Sequence, residues 1–176
     1  LLTQPDLPQT IQEKLLKTFE EHEQQVHQAQ IQHLRTCAQQ AVEVGDWNHA
    51  AEHFYALTCL PGAAQTDMAW LALASFHHTG NLNAAVHWLE TISPETLTAL
   101  PIRYVRPVLD ALAGAGQWNL TDRFMPLIAR EQAWYTDYQK RRGDWVNELA
   151  HSAQEAVERG AHLEAEGAAK RALQLA

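Results

Sequence analysis

Ten histidines are the residues that first invite a chemical role, as metal ligands or proton carriers. His22-Glu23-Gln24-Gln25-Val26-His27 is one residue too long for the H-E-x-x-H zinc signature, because helical side chains five apart point about 140° from each other. His49 and His53 are four apart and share a helix face near Glu52, a spacing that suits two metal ligands. They flank the apolar Ala50 and Phe54, however, and read as surface residues. His77 and His78 are adjacent, which does not make a site. No G-x-S-x-G elbow, catalytic cysteine context or G-x-x-x-x-G-K-[ST] phosphate loop occurs. The carboxylates Glu20, Glu21 and Glu23 read as a solvated helix face. The expectation is a non-catalytic chain without metal or cofactor.

Cys37 and Cys59 form neither a CxxC pair nor a disulfide-rich spacing, and read as two small buried side chains in a reducing compartment. The cytoplasm is therefore expected, with a periplasmic location and a Cys37–Cys59 disulfide as the alternative. The six tryptophans are potential stacking platforms. Trp47 and Trp118 read as packing residues, while Trp134 joins Tyr135 and Tyr138 in an aromatic cluster.

The net charge of −8 is unevenly spread. No Lys or Arg occurs between Arg35 and Arg103, where six carboxylates stand, whereas residues 103–176 balance ten of each sign. Nucleic acid needs a basic stripe and is not expected as a partner. With 46% apolar and 19% charged residues, the 176-residue chain has the composition of an ordered domain with a sizeable core. Its longest apolar run, Met68 to Phe76, is far shorter than the roughly 20 residues a membrane helix needs. The chain starts at Leu1 without a signal-peptide pattern and reads as a fragment of a larger, bacterial repeat protein.

These residues must be positioned by helices. From Thr10 to Val44 there is neither Gly nor Pro, and Gln, Glu, Ala and Leu abound. Thr10 and Glu13 form a capping box after Pro5 and Pro8. Ile11, Leu15, Phe19, Val26 and Ala29 run down one side. The stretch is one helix or two, and its first half lies along the molecule, serves as a linker, or forms a self-association seam. Beyond it the chain repeats itself. Gly45-Asp46-Trp47-Asn48, Gly80-Asn81-Leu82-Asn83 and Gly116-Gln117-Trp118-Asn119 stand 35 and 36 residues apart. Each glycine closes one helix and its successors open the next, so the unit is a helix hairpin. The interval from Gly116 to Gly160 is 44 residues. The surplus, near residues 131–142, is either an overlong helix or an additional one, and Gly143-Asp144-Trp145 offers a rival turn.

This pattern resembles the tetratricopeptide repeat (TPR) family. Ala38, Gly45, Trp47, Ala50, Phe54 and Leu57 carry the likeness in a first copy. Ala74, Gly80, Leu82, Ala85, Leu89 and Ile92 carry it in a second. Gly160, Ala165, Ala169, Ala172 and Leu173 do so in the last. The third copy is degenerate, with Thr121 at a small-residue position and Pro107 and Pro126 in or near its helices. The resemblance implies an all-α fold of antiparallel helix hairpins stacked into a right-handed superhelix, an α-solenoid, preceded by a long N-terminal helix. Residues 1–30 form the lead-in, and 31–176 the array, divided at about 31–64, 66–98, 102–142 and 145–176.

In such arrays the first helices line a concave groove where partners bind. Carried over, the groove positions are Arg35, Gln39, Leu71, Ser75, His78, Arg103, Arg106, Asp110, Asn147 and Gln154. The basic clamp that binds peptide carboxylates in some members needs lysines that the first two copies lack. Arg103 and Arg106 are instead expected to anchor an acidic group or peptide carboxylate, unless Arg106 pairs with Asp110 one turn on. The function implied is a protein-interaction scaffold for a peptide or partner protein. The alternative is a regulatory or glycan-sensing helical domain of a larger enzyme, transcription activator or polysaccharide-export protein. Further repeats or a second copy are possible neighbours, through the Gln-rich first helix or through Ala168, Ala172, Leu173 and Leu175 of the last.

Overall fold

A computed structural model describes the backbone of residues 9–176 and the side chains of Ile11 and residues 13–176. The fold is all-helical, with no strand among the described residues. Pro5, Pro8 and the Thr10 side chain expected to cap the first helix lie outside the described residues. The long N-terminal stretch is one helix, α1 (Gln9–Val44), followed by α2 (Trp47–Thr58), α3 (Gln65–Thr79) and α4 (Leu82–Leu89). Next come α5 (Pro94–Thr98), α6 (Ile102–Gly114), α7 (Trp118–Arg123) and α8 (Met125–Ile128). A long α9 (Gln132–Glu158) and α10 (His162–Leu175) complete the chain.

The repeated glycine turns share one local chemistry. Gly45, Gly80, Gly116 and Gly160 all have φ between 68° and 78°, a region that costs a residue with a Cβ about 1–2 kcal/mol. In three of them the following residue donates to the carbonyl five back: Asp46 to Ala41 at 2.8 Å, Gln117 to Leu112 at 2.9 Å, and Ala161 to Ala156 at 2.8 Å. This Schellman pattern satisfies carbonyls that the ending helix leaves open. Asp46 and Asn81 then cap the next helices through their side chains.

α3 is the wall between two cores. Leu71 and Ala74 face Ala38, Ala41 and Val42 of α1 and Ala50, Phe54 and Leu57 of α2. Ala69, Ala72 and Leu73 face Ala85 and Leu89 of α4 and the apolar side of α6, which includes Val105, Val108, Leu109 and Leu112. A helix packed on both sides has no polar face to alternate with an apolar one, and the Met68–Phe76 run reflects this. The small Ala residues let neighbouring backbones approach. Thr121 fills the corresponding position in α7, fully buried, with its hydroxyl donating to the Gln117 carbonyl at 2.9 Å.

The degenerate stretch is where the expected boundaries shift. Pro126 sits in the first turn of α8 and separates it from α7, so a single second helix is replaced by two short pieces. Pro107, by contrast, lies inside α6 without ending it. The surplus residues form the opening turns of α9, which runs unbroken through Gly143 to Glu158. The rival turn at Gly143-Asp144-Trp145 does not occur, and the boundary expected between 142 and 145 falls within a helix. Trp134 and Tyr138 on one side of Gly143 and Trp145, Val146 and Leu149 beyond it all pack on the main core. That outweighs the cost, about 1 kcal/mol, of one glycine in a helix interior. Arginines tie the short pieces together: Arg123 donates to the carbonyls of Glu90 at 3.1 Å and Ile92 at 2.9 Å, and Arg130 to that of Thr98 at 3.1 Å.

The first half of α1 extends away from this body. From Ile11 to Gln30 every described side chain is exposed except the half-buried His27, a projection of about 30 Å at the helical rise. Cys37 is half-buried and Cys59 exposed, both as free thiols. The expectation of two buried cysteines is thus corrected, since Cys59 caps the end of α2 at the surface. On α10, Ala168, Ala172 and Leu175 are buried while Leu173 is 78% exposed. No described helix is long and apolar enough to cross a membrane.

Candidate functional site

Where α1, α3 and α6 meet, the surface forms two hollows, of about 310 and 190 Å³, that share Gln39 and Trp70. Arg35, Phe54 and Asp67 line the larger, and Glu43, Arg103 and Tyr104 the smaller. Three residues expected in a groove from sequence, Arg35, Gln39 and Arg103, therefore come together here from helices far apart in the chain.

The floor is aromatic and braced. Trp70 stacks on Phe54, with ring centroids 5.8 Å apart and planes within 5°, and meets Tyr104 at 5.8 Å. Tyr104 meets the edge of Trp47 at 5.3 Å, and Trp47 stacks on His77 at 4.4 Å. His77 Nε2 lies 2.9 Å from the Tyr104 carbonyl, fixing the start of α6 against the end of α3. This chain of rings spans α2, α3 and α6 and holds the floor rigid.

The charges divide into committed and free. Arg35 donates from Nε and Nη2 to both oxygens of Asp67, at 3.0 and 2.6 Å, and this pairing raises the Arg35 pKa. Asp67 is only 4% exposed, so Arg35 serves chiefly as its partner. Arg103 is exposed, lies 4.6 Å over the Tyr104 ring, and pairs with no carboxylate among the described residues. A guanidinium stacked on a ring keeps its donor edge available for a planar anion.

The other expected groove residues do not join this site. Leu71 is 3% exposed and belongs to the core between α1, α2 and α3. Its half-buried neighbour Trp70 is the α3 residue that lines the hollows in its place. Ser75 is half-buried and its carbonyl accepts from Thr79. His78 is exposed at the end of α3. Arg106 lies 3.6 Å from Asp110 and 3.3 Å from Glu131, and sits over Trp134 at 5.4 Å. The pairing alternative for Arg106 is the one observed. Asp110 also accepts from the Trp134 indole at 2.9 Å and faces Arg141 at 3.5 Å. Arg141 in turn pairs with Asp137, holding that carboxyl below its ordinary range. These residues clamp α9 onto α6. Asn147 and Gln154 are exposed on α9, away from the Trp70 hollows.

Trp70 and Tyr104 escaped the sequence reading as site residues. The signal was present in the adjacency of Trp70 to the buried Leu71 and of Tyr104 to Arg103, but only the packing of α3 and α6 brings the two rings together. His49 is also committed, since its Nδ1 lies 2.6 Å from Asp46 Oδ2, which raises the imidazole pKa above 6.5 and lowers that of Asp46. Among the described residues, no three His, Cys, Asp or Glu side chains converge as a metal site would require. No family model, no curated protein and no solved structure matches this chain.

Proposed function

We propose that the chain is a non-catalytic scaffold of TPR-like helix hairpins that binds a peptide or partner protein at the Trp70 hollows. The single observation that carries this reading is the meeting of Gln39 and Arg103 around Trp70, with Arg103 stacked on Tyr104 and free of any carboxylate partner among the described residues. The repeated Schellman turns and the fully buried small residues Ala38, Ala50, Ala74 and Ala85 support the hairpin-array reading. The occupant is a peptide segment that places an aspartate, a glutamate or its terminal carboxylate on Arg103 and an apolar side chain against Trp70. A charge-assisted, planar pair contributes about 1.5–3 kcal/mol, roughly 10- to 100-fold in affinity.

The test is selection of peptides from a random displayed library on the immobilised protein. Carboxylate-bearing, apolar sequences are expected to be enriched and to lose at least about tenfold in affinity on Arg103→Ala, while Lys170→Ala leaves binding unchanged. Failure to enrich any sequence, or equal binding by Arg103→Ala, rejects the proposal.

A further inference from the structure

A second concavity lies on another part of the molecule and shares no lining residue with the Trp70 hollows. Where the end of α10 meets the α6–α7 turn and the middle of α9, a cleft of about 360 Å³ opens. A smaller one of about 270 Å³ adjoins it, with Leu175 lining both. One wall depends on Gly116: a Cβ there would stand 2.7 Å from Trp145 Cζ2, so only glycine lets this indole close against the turn. Trp145 and Leu149 give the larger cleft an apolar side, and Asn119 and Gln174 a polar one.

Its electrostatics run against those of the chain. The protein carries −8, yet among the described residues no acidic side chain lines either cleft, whereas Arg171 lines one and Arg142, which pairs with Asp122 at 3.3 Å, the other. Arg171 donates from Nε to the Gly167 carbonyl at 3.2 Å and pairs with no carboxylate among the described residues, leaving its outer nitrogens for a ligand. An independent observation concerns buried donors, nearly all of which find acceptors in native proteins. Among the described residues, two buried side-chain nitrogens have no partner, Trp118 Nε1 and Arg142 Nε. Each belongs to a residue lining one of these two clefts. An exposed cation without a carboxylate partner, two side-chain amides and an apolar wall that includes an indole call for an occupant that is anionic and itself flat. The volume, about 360 Å³, lies within the range of small-molecule sites.

We propose that the larger cleft binds a small aromatic carboxylate. The carboxylate sits on the Arg171 guanidinium with the Gln174 and Asn119 amides beside it, and the ring lies against Trp145 and Leu149. Trp118 lines the cleft beside them, with its indole N–H buried beneath the surface. This site is independent of the peptide-binding reading, and Arg103 plays no part in it.

The test is an NMR titration of the full ¹⁵N-labelled chain, following its six indole N–H signals, with phenylacetate and with the uncharged phenylacetamide as probes. The Trp118 and Trp145 signals, assigned from Trp118→Phe and Trp145→Phe, are expected to shift saturably with phenylacetate. Phenylacetamide binds at least about tenfold more weakly, and Arg171→Gln loses about tenfold for phenylacetate while keeping the thermal midpoint of the unaltered chain. Arg103→Ala binds phenylacetate unchanged. The proposal is overturned if no indole signal moves by about 10 mM probe, if only other tryptophans move, if the amide binds as well as the acid, or if Arg171→Gln binds unchanged.

Discussion

Replacing Arg35 with alanine distinguishes a structural brace from a binding residue. The guanidinium makes two hydrogen bonds, 3.0 and 2.6 Å long, to a carboxylate that is 4% exposed. Without it, Asp67 keeps its burial and loses its cation. A fully buried pair broken in this way costs about 3–5 kcal/mol. Arg35 is 36% exposed, however, and water screens part of the interaction, so the expected loss is about 1.5–2.5 kcal/mol. Equilibrium urea unfolding of Arg35→Ala, Asp67→Ala and the double variant closes a thermodynamic cycle, whose coupling energy is expected at about 1–2 kcal/mol. A coupling under about 0.5 kcal/mol, the value of an ordinary surface pair, would refute the brace. It would return Arg35 to the residues available to a ligand.

Three further outcomes follow from the geometry. Gly116→Ala combines a φ of +72° with a contact of 2.7 Å to Trp145, whereas Gly160→Ala at φ +74° meets nothing within 4 Å. The first is expected to cost about 2–4 kcal/mol and the second about 1–2 in urea unfolding, and equal losses would remove Trp145 from the turn. The His49 imidazole is held above its ordinary 6.5 by Asp46, and Asp46 below its ordinary 3.8 by His49. The pair's contribution is therefore present between those values, and is lost as pH rises through the raised His49 pKa or falls through the lowered Asp46 pKa. Asp46→Asn should return the His49 NMR midpoint toward 6.5, and a midpoint at or below 6.5 in the unaltered chain contradicts the pairing. Deleting residues 1–27 removes side chains that are exposed wherever they are described, save that of His27. It is expected to change unfolding stability by less than about 1 kcal/mol, and a larger loss would show that this half of α1 packs on the body.

The helical class and the hairpin turns were legible because their determinants are local. A glycine with φ near +70°, Asp46 or Asn81 after it and small residues at helical spacing are each read within a few positions. The site was legible only in part. Arg35, Gln39 and Arg103 line the Trp70 hollows, but which arginine is free depends on long-range partners. Asp67 claims Arg35, while Asp110 and Glu131 claim Arg106. The open position of α3 at Trp70 was hidden because a helix buried on two sides carries no polar stripe to mark it, and the expectation fell on the buried Leu71 instead. The continuity of α9 through Gly143 was likewise hidden, since a glycine beside Asp144 and Trp145 matches the local signature of the true turns. Packing on both sides of Gly143 decides the matter.

The central claim is that the ligand surface lies around Trp70 with Arg103 as its free cation. The most direct measurement is the NMR footprint of a library-selected peptide on the labelled chain, recorded on the unaltered protein and on Arg103→Ala. The account predicts shifts concentrated at the Trp70 indole, the Gln39 side-chain amide and the backbone around Arg103, collapsing in the variant. A footprint centred on α10 or on the exposed Ile11, Leu15, Phe19 and Val26 face of α1, or one that persists in Arg103→Ala, would contradict it.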